Sequence, residues 1–170
     1  MGLPHKLKDF RLYNEGDNYI GKVGEIELPK LVLKTLQWRG GGMLGEIDIG
    51  LGLEKLEMTV KYGGLVLPIV RQFGLIGVAG VQQRFVGGYQ EEDAGGIVVA
   101  EIVTRGLHTE LDLGTAKAGE DTEHAVKSTL TYYKMTANGA PQIEIDMLSG
   151  LFVVGGVDRT GALRAALQSF

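Results

Sequence analysis

A chain of 170 residues and 18.3 kDa is the length of one ordinary domain rather than two, and is long enough to close a hydrophobic core without disulfides or metal. Its 17 basic and 21 acidic residues leave a net charge of −4, which disfavours a nucleic-acid binder working through a cationic surface. The absence of cysteine excludes disulfide staples, thiolate nucleophiles, Cys-based zinc sites and iron–sulfur clusters, and fits folding in a reducing cytosol. The 27 glycines are about twice the usual ~7% share. They fall singly or in short runs between Val-, Ile- and Leu-rich segments with no Gly-X-Y period, so they punctuate folded structure. The start, Met1 to Asp9, lacks the apolar stretch of a signal peptide. The most apolar window, 65–81, is interrupted by Pro68, Arg71 and several glycines, short of the ~20 apolar residues of a membrane span. The expectation is a soluble chain.

In chain order, Tyr19 to Leu28 and Leu31 to Trp38 read as strands. Glu46, Asp48 and Gly50 then alternate with Ile47, Ile49 and Leu51, and Leu56, Met58, Val60 and Tyr62 alternate with Lys55, Glu57, Thr59 and Lys61. With Gly50-Leu51-Gly52-Leu53 between them, these two runs predict a hairpin. Leu65, Ile69 and Phe73 at i, i+4 and i+8, with Pro68 early and Gly74 after, predict a short, mostly buried helix. A second hairpin joins Gln82–Gln90 to a long return strand, Ile97–Leu113, through an acidic tip ending in Gly95-Gly96. Neither side of the return strand is cleanly apolar. Thr122–Thr136 and Gln142–Met147 form a further hairpin around Asn138-Gly139. Val157 to Leu167 closes the chain as a helix, with Asp158 as the expected N-cap. The fold class is therefore mainly β, with one or two short helices.

The chemistry-bearing patterns are weak. Gly114-Thr115-Ala116-Lys117-Ala118-Gly119 has P-loop spacing but is followed by Glu120-Asp121, whose carboxylates repel phosphate, so it reads as an acidic surface loop. His108, Glu110 and Asp112 share one strand side and read as a solvated polar face rather than a metal site. Ser128, Ser149 and Ser169 lie in no nucleophile elbow, and Glu144 and Asp146 are the outward half of an alternating strand. Trp38, Tyr132 and Tyr133 read as core or interface anchors before they read as a stacking platform. No catalytic residue, metal site or cofactor is expected. What remains is many strands with little edge protection, which points to edges completed by other copies, as a closed ring or a filament.

Several strings occur in order: Leu28-Pro29-Lys30-Leu31, Trp38-Arg39-Gly40-Gly41-Gly42-Met43, Ile47-Asp48-Ile49-Gly50-Leu51, Lys117-Ala118-Gly119-Glu120-Asp121-Thr122-Glu123, Thr131-Tyr132-Tyr133-Lys134, Glu144-Ile145-Asp146 and Gly156-Val157-Asp158-Arg159. Together they resemble the major tail tube proteins of contractile, P2-like phage tails, a family that also supplies the tubes of R-type bacteriocins (pyocin-like tailocins). The resemblance runs over essentially the whole chain. Trp38 stands where tyrosine is expected, and Gly161 weakens the final helix.

The resemblance implies a β-sandwich or barrel-like tail tube fold occupying 1–170 as one domain, with an N-terminal arm at about 1–16 and a C-terminal segment at about 155–170. It implies a hexameric ring in which each subunit lends four strands to a continuous β-barrel channel, and rings that stack into a tube inside a contractile sheath. The implied partners are other copies of the chain, the sheath protein, a tape-measure protein, the baseplate tube-initiator and tail terminator proteins, and DNA in transit if the particle is a phage. The tube would be made in the bacterial cytoplasm, assembled in a virion tail or tailocin, and released on lysis. On that reading Glu46, Asp48, Lys55, Glu57, Thr59, Lys61, Gln82 and Arg84 are candidates for the lumen, with His108, Glu110 and Asp112 weaker ones. Arg39, Gly40, Gly41, Gly42, Met43 and Leu44, just before a strand, are candidates for reaching the adjacent ring, assisted by the arm from Leu3 to Tyr13 and by the C-terminal segment. Six copies at −4 each sum to −24, and a lumen sharing that sign would let DNA slide; alternatively, the mixed Lys55/Glu57/Lys61 face makes the channel nearly neutral. The alternative is a stand-alone β-sandwich that binds a small ligand or glycan through Trp38.

Overall fold

The computed structural model describes residues 2–170. Twelve strands and two helices run in the order β1 (His5–Asn14), β2 (Asp17–Asn18), β3 (Val23–Glu27), β4 (Leu33–Trp38), β5 (Ile47–Leu53), β6 (Leu56–Tyr62), α1 (Leu67–Gln72), β7 (Val81–Glu91), β8 (Ile97–Asp112), β9 (His124–Ala137), β10 (Ala140–Asp146), β11 (Leu151–Val154), β12 (Val157–Asp158) and α2 (Gly161–Gln168). The main sheet has the order β12-β11-β10-β9-β8-β7-β1-β2, with β6 and β3 branching from β9. All its pairings are antiparallel.

The branch is made by β9. One of its edges pairs with β8 along most of its length, while the other is shared: 124–130 pair with β6 and 132–137 with β10. The residue between, Thr131, is skipped in the register with β8, where Arg105 faces Tyr132 and Gly106 faces Leu130. An unpaired residue of this kind bends the strand and re-aims the side chains beyond it. Thr131 secures the junction: its hydroxyl donates to the Val78 carbonyl at 3.2 Å, and its own carbonyl accepts from the Met147 N–H at 2.9 Å. The sheet thus splits into two wings that enclose the core.

Alternation fills that core. Leu56, Met58, Val60 and Tyr62 all lie inward on β6, with Phe85 from β7, Ile102 from β8, Val126 and Leu130 from β9, and Ile145 from β10. Burying a side chain of this size is worth about 1.5–3 kcal/mol. The β7–β8 hairpin forms as expected, and so does β9–β10, whose Asn138 (φ +48°) and Gly139 (φ +81°) make the left-handed turn that Asn-Gly favours.

The structure corrects other expectations. β5 does not turn back onto β6; it pairs with β4 as a separate two-stranded ribbon, while β6 pairs with β3 and β9. Gly52, at φ +117°, sits where the β4–β5 register shifts and not at a hairpin turn. Alternation identifies strands but is silent about partners. The strand expected from Tyr19 to Leu28 is the shorter β3, Val23–Glu27, and the Tyr19 ring turns into the core. Within the N-terminal segment, β1 is hydrogen-bonded to β7 from His5 to Asn14. In α1 only Ile69 is buried; Leu65 precedes the helix and Phe73 leaves it in extended backbone, and both are exposed. α2 begins after Thr160 and buries no residue, so Leu163 and Leu167 face outward.

Candidate functional site

The charged positions of β6 follow from its core. With Leu56, Met58 and Val60 inward, Glu57, Thr59 and Lys61 must face outward, and Lys55 joins them just before the strand. Register brings two neighbours to this face: Lys127 on β9 lies opposite Thr59, and Glu25 on β3 lies opposite Lys61. Glu57 holds Lys55 at 2.9 Å and Lys127 at 3.3 Å, and Lys61 lies 3.5 Å from Glu25. Hydrogen bonds from Lys55 and then Lys127 hold the Glu57 carboxyl below its ordinary range, so it stays ionised. A hollow of about 480 Å³ opens beside Lys55, Glu57, Thr59 and Lys127 and also takes in Glu27, Lys30 and Val32.

Gln82 and Arg84 occupy the outer side of β7. Arg84 grips Glu101 through both Nε (3.1 Å) and Nη2 (3.3 Å), and its guanidinium stands 5.1 Å from the centre of the Tyr13 ring. Further along, Arg105 stacks 4.6 Å from the Tyr132 ring, whose hydroxyl donates to Glu144, and Lys134 reaches the same carboxylate at 3.5 Å. The outer face of the sheet is therefore a field of mutually neutralising pairs. Glu25, Glu101 and Lys127 were missed in sequence; the alternation of Lys127 with Val126 and Ser128 marks it as outward, but only the register says what it faces.

Glu46 and Asp48 lie elsewhere, Glu46 just before β5 and Asp48 on the β4–β5 ribbon opposite Gln37. The eight lumen candidates thus divide into two at or on the ribbon and six at or on the main sheet. The six ring-contact candidates form the ribbon's tip. There the Met43 N–H donates to the Gly40 carbonyl at 3.2 Å, Gly42 takes φ +87°, and Leu44 is thrown into full exposure at 101%. Trp38 sits beside this turn opposite Ile47, half exposed, with its ring next to Gly40.

His108 is not on a solvated face. It is buried, with Nδ1 2.7 Å from the Ser128 hydroxyl and Nε2 3.0 Å from Gln72 Oε1, and burial pushes its pKa down to about 4. The β8 register shifts between His108 and Glu110, which breaks the shared face assumed from alternation. Among the described residues no cluster of metal-binding side chains is present, and no helix is long and apolar enough to cross a membrane.

The site is thus a patterned surface with an unpartnered ribbon. The family model for phage tail tube protein FII matches residues 4–167. The chain belongs to that family. It is 38% identical over 162 residues to the tail tube protein of Escherichia phage P2, covering 94% of each chain. To the major tail tube protein of Serratia phage KSP20 it is 36% identical over 154 residues, covering 89% of this chain and 88% of that one. Membership in the tail tube family makes the chain a structural subunit of an inner tube and not an enzyme. The fold is shared with much more distant chains. The sheath/tube terminator of the PVC extracellular contractile injection system in its extended state superposes with a TM-score of 0.57 at 12% identity, over 76% of this chain and 94% of that one. A chain of the PVC sheath–tube complex gives 0.55 at 12% identity, over 75% and 88%. One from the anti-feeding prophage baseplate gives 0.52 at 11% identity, over 75% and 90%.

Proposed function

We propose that this tail tube protein acts over 1–170 as one domain that closes into six-membered rings, each subunit lending four strands to a continuous channel, with rings stacked into a rigid tube. The observation that carries this is the β4–β5 ribbon: neither strand pairs with any other described strand, so both outer edges carry unpaired backbone groups. Closure around an axis removes such edges. In this reading β3 and β6 join β4 and β5 in the channel wall, and the charged face around Glu57 meets the water inside, together with Asp48, Gln82 and Arg84.

The proposed lumen set contains three acids (Glu46, Asp48, Glu57) and three bases (Lys55, Lys61, Arg84), so it is balanced rather than attractive to phosphate. DNA or ions would pass without being held. The turn from Arg39 to Leu44 reaches the next ring, assisted by the N-terminal arm (about 1–16) and the C-terminal segment (about 155–170). Sheath, baseplate, terminator and tape-measure proteins are the partners that a contractile particle requires. Such a tube would be made in the bacterial cytoplasm, assembled in a virion tail or tailocin, and released on lysis. Negative-stain microscopy of the purified protein tests the reading. Rings or hollow rods are expected; a monomer at high concentration that is also missing from native tubes overturns it.

A further inference from the structure

The β4–β5 ribbon has two unlike faces. Trp38 pairs with Ile47 and Leu36 with Ile49, and together with Leu51 they cover one face, each between 38% and 56% exposed. On the other, Gln37 pairs with Asp48 and Thr35 with Gly50. A two-stranded ribbon is marginally stable in water by itself. Five large apolar side chains on one face amount to on the order of 400 Å², the size of the largest apolar patch a monomer ordinarily leaves bare.

The segment from Gly63 to Val81 presents an apolar surface of the same kind. In the 19 residues from Gly63 to Val81 the only charged side chain is Arg71. Val66 and Ile69 anchor this segment in the core, yet Leu67, Phe73, Leu75, Ile76 and Val78 remain exposed, Ile76 completely. The segment is also held in place. Gln72 exchanges hydrogen bonds with Asn14 (3.0 and 2.5 Å) and meets His108, and the Val78 carbonyl accepts from Thr131. A surface already ordered by its own chain loses little entropy on docking. The α2 stripe, Leu163 and Leu167, is by contrast a single narrow ridge on an eight-residue helix, too slim to cover a ribbon face.

We infer that the apolar face of the β4–β5 ribbon of one copy packs on the 65–78 surface of the next. Both surfaces are bare within one chain, so both are free to meet another copy. Because donor and acceptor differ, the contact is heterologous and propagates around an axis. It leaves the Gln37–Asp48 face to water. The inference rests on the tube reading and supplies that reading with its lateral contact.

The chain has no cysteine, so introduced thiols report cleanly. Ile49→Cys and Ile76→Cys proteins, mixed in equal amounts during assembly and mildly oxidised, are expected to give disulfide dimers from up to about half of the chains, because random mixing brings the two thiols to about one contact in four and a bridge forms where their Cα atoms lie within about 7 Å. The double variant is expected to give a ladder. Leu51→Cys with Val78→Cys provides a second pair should either first variant fail to fold. Tubes in wild-type preparations with no cross-link in either pair, or with Ile49→Cys bridging to itself or to Leu163→Cys, overturn this contact and leave the tube reading standing. The absence of rings and tubes from wild-type protein overturns both.

Discussion

His108 and Gln72 meet inside the fold, Nε2 to Oε1 at 3.0 Å, and so tie the middle of β8 to the last residue of α1. Gln72 Oε1 also accepts from Asn14 Nδ2, so it is the acceptor and His108 carries its proton on Nε2. Ser128 then donates to Nδ1. The network needs a neutral imidazole, in keeping with the low pKa of about 4 that burial imposes. In the unfolded chain the same imidazole titrates near its ordinary 6.5, so between those values the unfolded state binds the extra proton. Stability is thus full above pH 6.5 and falls as pH drops toward 4, by on the order of 3 kcal/mol at the lower end. Urea unfolding at pH 7 and pH 4.5 is expected to show this loss, and His108→Asn is expected to flatten the slope. An unchanged slope in the variant would mean that other groups govern it.

At Gly106 a Cβ would stand 2.0 Å from the Thr129 carbonyl oxygen and 2.9 Å from the Leu130 Cα. Both are backbone atoms at the bend where β9 leaves Thr131 unpaired, so nothing nearby can swing aside. Gly106→Ala is expected to cost about 3 kcal/mol by overpacking, read as a lower denaturation midpoint. Gly50→Ala, with open space around its Cβ, serves as the control and should shift stability by less than ~0.5 kcal/mol.

Leu44 is fully exposed at the ribbon tip and contributes no packing within its own chain. Leu44→Asp should leave thermal unfolding of the monomer within about 0.5 kcal/mol of wild type. If the tip joins successive rings, electron micrographs of the variant will show separate rings in place of rods. Full-length rods would remove the tip from the stacking contact.

Glu57 alone balances both Lys55 and Lys127. Glu57→Gln leaves those two cations facing each other on the exposed face with little effect on folding. It also adds one positive charge per subunit to the proposed lumen, six per ring. Tubes of the variant are expected to retain DNA at low salt and release it as salt rises, whereas wild-type tubes do not. Equal retention by both would place Glu57 outside the channel.

The core of β6 was legible in the sequence because a strand with one buried face must alternate, and its four inward residues are all nearly inaccessible. The Asn138-Gly139 turn was legible because few residues accept positive φ. Partner choice was not, because an alternating strand satisfies its pattern against any neighbour of suitable polarity. Gly50 and Gly52 looked like a turn, yet they lie within β5, and β9 takes the place β5 was expected to fill beside β6.

Local chemistry in the sequence therefore determined the strand-rich class, the tail tube resemblance and the outward charges of β6, since each depends on residue type and short-range order. Only the tertiary structure decided that Lys127 and Glu25 neutralise those charges, that His108 lies within the core, and that β4 and β5 stand apart with an uncovered apolar face. These depend on which distant segments meet, and strand register, set by packing across the whole fold, is what brings them together.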